Sequence, residues 1–260
     1  MKHTIGAQTI PWGEIIKDRM GEILEFLAGE GYRGVETGIR HFDTDNPDYY
    51  RKLYDRTGLT PLGLHSGGQF WEPDAAEQER RKLHDSIAFA ATVGFQNVVV
   101  SGNKAETVDS MKTAAQTYGQ LGRACRKQGL RLAYHNHNWE LANDAAILRT
   151  LLDETDPGDV SLVLDVAWAH VGGVDLSGLL KRVGDRVAYL HIKDVAGEAF
   201  CELGTGEVDL PHVVRLAADS GIQWLVIEQD YTELTPEESM RRNMSYLRST
   251  GVAEISERPE

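Results

Sequence analysis

Four stretches of this 260-residue chain run apolar and then stop on a side chain able to bind a metal ion. Val163-Leu164 ends in Asp165, Tyr189-Leu190 ends in His191, and Val226-Ile227 ends in Glu228. The fourth, Leu132-Ala133-Tyr134, runs into His135-Asn136-His137-Asn138-Trp139-Glu140. A lone Asp or His after a strand usually caps a turn, but four in succession at equivalent positions point to a shared site. Carboxylate oxygen mixed with imidazole nitrogen suits Mn2+, Mg2+, Co2+ or Fe2+, and also admits Zn2+, rather than a thiolate-seeking metal. An ion held there would bind two oxygens of a polyol or ketose and stabilise a developing enolate. A flanking carboxylate or histidine would move the proton.

Of the nine histidines, His65, His135, His137, His170 and His191 fall at or just past the ends of expected strands. His135 and His137 are two apart, so they leave a strand on the same side and only one can sit deepest. Lys193 and Asp194 read either as surface residues or, for Lys193, as an electrophile beside a substrate oxygen, since it shares the side of His191. Trp12, Trp139 and Trp168 read equally as an apolar wall for a sugar face or as core. Glu36 has a weaker case of the same kind. His65, Trp168, Trp139 and Glu36 are the substrate-binding candidates, and Cys125 reads as helix packing.

The elements that must position these residues alternate regularly. Strands are expected at 5–9, 34–38, 61–65, 97–101, 131–135, 161–165, 187–191 and 224–228, each followed by a helical pattern. Glycines stop several helices before the next strand, Gly58, Gly94, Gly129 and Gly221 among them. Eight strand–helix units imply a parallel sheet covered on both faces. No GxGxxG follows the first strand, where Ile10-Pro11-Trp12-Gly13 stands instead. The length also fits the roughly 250 residues of a (β/α)8 TIM barrel, expected here as a single domain over 1–260. In that fold the C-terminal strand ends converge on one mouth. The Gly-rich segment 196–209 reads as a long loop and a candidate lid, and the acidic residues 251–260 as a frayed tail.

Charge and composition narrow the partners. Lys and Arg total 27 against 40 Asp and Glu, a net charge of −13, and the longest basic run is Arg80-Arg81-Lys82. Such a surface repels a polyanion, so no nucleic-acid partner is expected. No apolar run is long enough to span a membrane, and residues 1–8 lack the apolar core of a secretory signal. Two cysteines far apart, Cys125 and Cys201, form no CxxC pair, and a reducing cytoplasmic location is expected.

The chain resembles the sugar phosphate isomerase/epimerase superfamily, the xylose-isomerase-like barrels that include ketose 3-epimerases, inosose dehydratases and hydroxypyruvate isomerases. The resemblance spans almost the whole chain. It is carried by Gly31-Tyr32-Arg33-Gly34-Val35-Glu36, Tyr134-His135-Asn136-His137-Asn138-Trp139-Glu140, Leu164-Asp165-Val166-Ala167-Trp168, His191-Ile192-Lys193-Asp194, Leu203-Gly204-Thr205-Gly206-Glu207-Val208-Asp209 and Ile227-Glu228-Gln229-Asp230. It implies one divalent ion, Mn2+ first, on a Glu, Asp, His, Glu quartet. Asp165, His191 and Glu228 match that quartet. The first position departs, because His135 stands where ketose epimerases carry glutamate. Glu140 is the assigned ligand, with His135 as the fallback. The resemblance also implies that Glu228, His137 or His135 moves the proton, aided by Lys193, and that the segment 203–209 closes over a bound polyol. Two reactions share one enediolate. An isomerase or epimerase returns the proton to carbon, whereas an inosose-type dehydratase or keto-glycoside eliminase expels a leaving group. The endonuclease branch conflicts with the charge of −13. Relatives in this group are often homo-oligomers, and the lack of a Gly-rich phosphate cradle points to an unphosphorylated sugar.

Overall fold

The computed structural model describes residues 2–68, 70, 72–101 and 105–251. In chain order it contains β1 (Thr4–Gln8), α1 (Ile16–Gly29), β2 (Gly34–Gly38), α2 (Pro47–Thr57), β3 (Thr60–His65), α3 (Pro73–Val93), β4 (Asn97–Ser101) and α4 (Val108–Lys127). Then follow β5 (Arg131–His135), α5 (Asn138–Asp153), β6 (Val160–Asp165), α6 (Val166–Val171), α7 (Leu176–Val183), β7 (Val187–Ile192), β8 (Asp194–Ala196), β9 (Ala199–Cys201), α8 (Leu210–Asp219), β10 (Trp224–Ile227) and α9 (Pro236–Ser249). Eight strands close a parallel barrel in the order β1-β10-β7-β6-β5-β4-β3-β2, with helices in the connections. This is the expected (β/α)8 barrel. The acidic tail falls in 252–260, outside the described residues. Among the described residues no helix is long and apolar enough to cross a membrane.

Local sequence accounts for the frame. The barrel strands are almost wholly buried on both faces, and β4, β6 and β10 accordingly carry the runs Val98-Val99-Val100, Leu162-Val163-Leu164 and Leu225-Val226-Ile227. Gly58 and Gly94 end α2 and α3 in the left-handed region, at φ 69° and 97°, each N–H donating back to the last helical turn. A side chain there would be strained, so glycine fixes where each chain turns into the barrel.

Inside the barrel Leu62, Val99, Ala133, Val163, Tyr189 and Val226 form a packed apolar layer. Residues two further along a strand point the same way. Ala133 is therefore followed inward by His135, Val163 by Asp165, Tyr189 by His191 and Val226 by Glu228. One more step of two brings His137, Lys193 and Asp230. The polar side chains thus sit as two storeys above an apolar floor at the C-terminal mouth.

The segment expected as a lid is fastened to the barrel instead. β8 and β9 pair antiparallel, with Asp194 opposite Cys201. Asp194 is fully buried and accepts four backbone N–H bonds: Val195 and Val208 on one oxygen at 2.9 and 3.1 Å, Gly204 and Gly206 on the other at 2.9 and 3.0 Å. A Cβ on Gly206 would lie 2.3 Å from an Asp194 oxygen, so only glycine lets this backbone come so close. Leu203 N–H is tied to Asn243 Oδ1 at 2.8 Å. Gly204 and Gly206 serve this close packing. Asp194→Ala should strand these donors, lower stability by about 3 kcal/mol and expose 202–208 to proteolysis. Thermal melting with limited digestion checks this, and an unchanged digestion pattern would refute the clamp.

Candidate metal centre and active site

His135, Asp165, His191 and Glu228 each place one ligand atom within 4.8 Å of the others, and all four are buried. Each position has a local cause. Asp165 ends β6 and caps α6, so Oδ1 accepts the Trp168 N–H at 2.9 Å. Oδ2 is left facing the barrel axis. Buried Asn136 accepts the Asp165 N–H at 3.0 Å and ties the ends of β5 and β6 together. His191 Nδ1 lies 3.2 Å from Glu228 Oε2, and His135 Nε2 lies 3.6 and 3.7 Å from Asp165 Oδ2 and Glu228 Oε2.

These residues fit a divalent ion. Ligands about 2.1 Å from an ion stand roughly 3 to 4 Å from one another, the spacing of the His191–Glu228, His135–Asp165 and His135–Glu228 pairs here. Both ring nitrogens of His135 and Nδ1 of His191 are buried without a hydrogen-bond partner in the protein. Buried polar atoms orphaned in this way are costly unless something else engages them.

Lys193 balances the carboxylates in the protein alone. Its Nζ lies 3.0 Å from Glu228, 3.4 Å from Asp165 and 2.5 Å from Asp230, and it is only 1% exposed. It also lies 4.3 Å over the Phe200 ring and 5.4 Å over that of Trp168. Burial works against a charged lysine, but Glu228, Asp165 and Asp230 outweigh it and raise its pKa. Burial works against ionised Glu228 as well, and Lys193 and His191 override it, holding that carboxyl well below the usual range. Asp230 is pushed up by its own burial and by the Glu228 charge. His191 is raised well above the ordinary histidine value by Glu36 and Glu228 despite burial, and His135 is raised by Asp165 and Glu228 despite burial. An incoming cation must displace protons from these imidazoles, so its affinity is tied to pH.

Above the quartet opens a cavity of about 170 Å3, lined among others by His65, His135, His137, Trp168, Lys193 and Glu228. His137 stands in its wall, its ring stacked on Trp139 at 4.2 Å and 9° between planes, with Nδ1 3.8 Å from Glu140 Oε1 and making no hydrogen bond. Trp168 packs edge-on against Phe200 of β9 at 5.0 Å, so the clamped hairpin backs the wall.

Several expected positions turn out differently. Glu140 does not reach the quartet, and His135 takes that place. Glu140 Oε1 accepts from the Tyr134 hydroxyl and Oε2 from the His137 N–H, both at 2.8 Å. By residue 140 the chain has left the strand for the first turn of α5, whereas position 135 keeps the inward period of β5. That turn is set off from the rest of α5 by Asn143, Asp144 and Ala145, all at φ near +55°. Glu36 does not line the cavity either. It is fully buried beside His191, His65 and Tyr189. His65 does line the cavity, but both ring nitrogens are engaged, Nδ1 with Glu36 at 3.2 Å and Nε2 with Ser101 at 3.0 Å. Trp139 backs His137, and Trp12 is core, its indole N–H donating to Glu237. His170 is exposed and pairs with Glu207 at 3.7 Å, away from the quartet. Asp230, which also lines the cavity, has no role among the sequence expectations. Its spacing of two from Glu228 was the available signal.

Residues 24–250 match the family described as xylose isomerase-like TIM barrel. An inosose dehydratase of Mesomycoplasma hyopneumoniae strain J is 29% identical, the alignment covering 94% of this chain and 95% of that protein. The solved 3-keto-D-glucoside 4-epimerase of E. coli superposes with a TM-score of 0.81 at 17% identity, over 95% of this chain and all of the other. The IolI protein, solved with a bound zinc atom, gives a TM-score of 0.80 at 17% identity, over 96% and 98% of the two chains. With that coverage, and with the barrel it describes seen closed around the quartet, the chain belongs to the xylose isomerase-like TIM barrel family.

Proposed function

We propose that the chain is a divalent-metal-dependent isomerase or epimerase that moves a proton next to the carbonyl of an unphosphorylated ketose or keto-sugar. The observation that carries this reading is the quartet His135, Asp165, His191 and Glu228, with its orphaned imidazole nitrogens, at the floor of a polar cavity. Those four residues would hold the ion, Mn2+ first. When bound, it polarises the substrate carbonyl and offsets the negative charge that grows on oxygen as the neighbouring C–H is broken.

The chain's own groups do the rest. His135 is committed to the quartet, which leaves His137 as the imidazole free to act on substrate. Its Nδ1 makes no hydrogen bond and lies 3.8 Å from Glu140 Oε1, and Trp139 fixes the ring plane. It takes the proton from carbon and returns it, in the same or another position. Lys193 Nζ lies in the cavity wall and donates to a substrate oxygen while its carboxylate partners hold it charged. Trp168 offers an apolar face to a sugar ring.

A second reading, a lyase on the same enediolate, is favoured by one finding, the full-length likeness to an inosose dehydratase. The deciding experiment is incubation in D2O with Mn2+ and ketoses, 3-keto-glucosides and inososes, beside an EDTA control, read by proton NMR after chelation. Metal-dependent deuterium next to the carbonyl, with an epimer or isomer formed, supports the first reading. Loss of water or an aglycone supports the second. No exchange with any of them would end both. His137→Ala should slow exchange by about 100-fold or more and leave Mn2+ retention unchanged. Exchange at the wild-type rate would remove His137 from the acid/base role.

A further inference from the structure

Glu36 is a carboxylate with no access to solvent, lying under the quartet rather than in it. Three groups converge on it. His191 Nε2 lies 2.9 Å from Oε2, the Tyr189 hydroxyl donates to that same oxygen, and His65 Nδ1 lies 3.2 Å from Oε1. The barrel makes room for this contact. A Cβ on Gly63 would stand 2.6 Å from the Tyr189 hydroxyl and 3.0 Å from Glu36 Cγ, so the side chains occupy the space that the missing Cβ leaves.

A carboxylate only accepts, so His191 must present N–H from Nε2. In the neutral ring that binds an ion the lone pair is then on Nδ1, the atom that faces Glu228 at 3.2 Å and lacks a hydrogen-bond partner. The ring cannot turn over without giving up the Glu36 contact and pointing N–H at the other ligands. We propose that Glu36 is a positioning residue that sets the tautomer and orientation of His191 for the metal ion, and does not bind substrate. This rests on the metal site of the proposed function. A carboxylate behind a ligating imidazole also makes the ring a stronger electron donor, and such partners are worth about 10–100-fold in metal affinity. Tyr189 is subordinate, since its hydroxyl touches Glu36 and not His191.

The test is Mn2+ titration calorimetry of the full chain, wild type against Glu36→Gln and Tyr189→Phe, with long-range 1H–15N spectra of the His191 ring in wild type loaded with Zn2+. The expected result is a 10–100-fold weaker Kd for Glu36→Gln, a change of less than about threefold for Tyr189→Phe, and a ring protonated on Nε2. A Glu36→Gln Kd within threefold of wild type, equal losses in both variants, or protonation on Nδ1 would overturn the proposal. Should Glu36→Gln fail to fold, the tautomer in wild type still decides it. Wild type that binds no ion at all would instead overturn the metal site, a distinct failure.

Discussion

Glu228→Gln should lose Mn2+ during dialysis and exchange substrate deuterium on the order of a thousandfold more slowly, while still folding. Glu228 is one of two carboxylates in the quartet, and its Oε2 lies 3.2, 3.0 and 3.7 Å from His191, Lys193 and His135. An amide keeps the shape and an oxygen, but not the charge. Partners that merely orient a ligand are worth 10–100-fold in affinity, so removing a charged ligand should cost more than about 100-fold. Losing the electrostatic stabilisation of developing charge adds a factor of about 100–1000 in rate. The fold should persist because Lys193 keeps Asp165 and Asp230 at 3.4 and 2.5 Å. Metal analysis after dialysis, circular dichroism and the D2O assay give the three readings. Full metal retention would mean that Glu228 is not a ligand.

The barrel and three of the quartet were legible because buried parallel strands leave an uninterrupted apolar run, and a polar residue closing it stands out. Asp165, His191 and Glu228 carry that signal. The first position was harder, because the run after Tyr134 offers His135, His137 and Glu140 together. The resemblance favoured a glutamate, while the inward period of two favoured His135, and the geometry follows the period. Glu140, by contrast, has both its oxygens spent on Tyr134 and the His137 backbone. Charged residues buried by long-range partners leave no local mark. Glu36 meets His191 across 155 positions and Lys193 meets Glu228 across 35, so neither burial could be read from neighbours in sequence. The hairpin was hidden for another reason. Its strands are three residues long among glycines, a pattern shared by free loops, and only the four N–H bonds on Asp194 distinguish it.

Lys193→Met should make the metal-free protein about 3 kcal/mol less stable at pH 7, a fall in Tm of roughly 6–12 °C for a chain of this size. The ammonium is buried among Glu228, Asp165 and Asp230, and removing one partner of a buried ion network leaves uncompensated charge. Methionine keeps much of the volume and the contact with Phe200 and Trp168, so lost charge rather than a cavity dominates. The sign of the pH dependence follows from Glu228. Its folded pKa is depressed, so it contributes stability above the unfolded carboxylate value of about 4.3, and this is lost as pH falls through the folded pKa. Lys193 is the foremost of the charges that depress it, so the variant forfeits that contribution. The gap to wild type should hold from pH 7 down to about pH 4.3 and narrow only below that, as pH falls toward the depressed folded pKa. Mn2+ should close it, since a dication restores positive charge beside the same oxygens and stabilises whichever form binds it. Exchange should nevertheless remain slow in the loaded variant, because methionine cannot donate to a substrate oxygen. A metal-free variant melting within about 2 °C of wild type at pH 7 would show that the ammonium does not hold the carboxylates together.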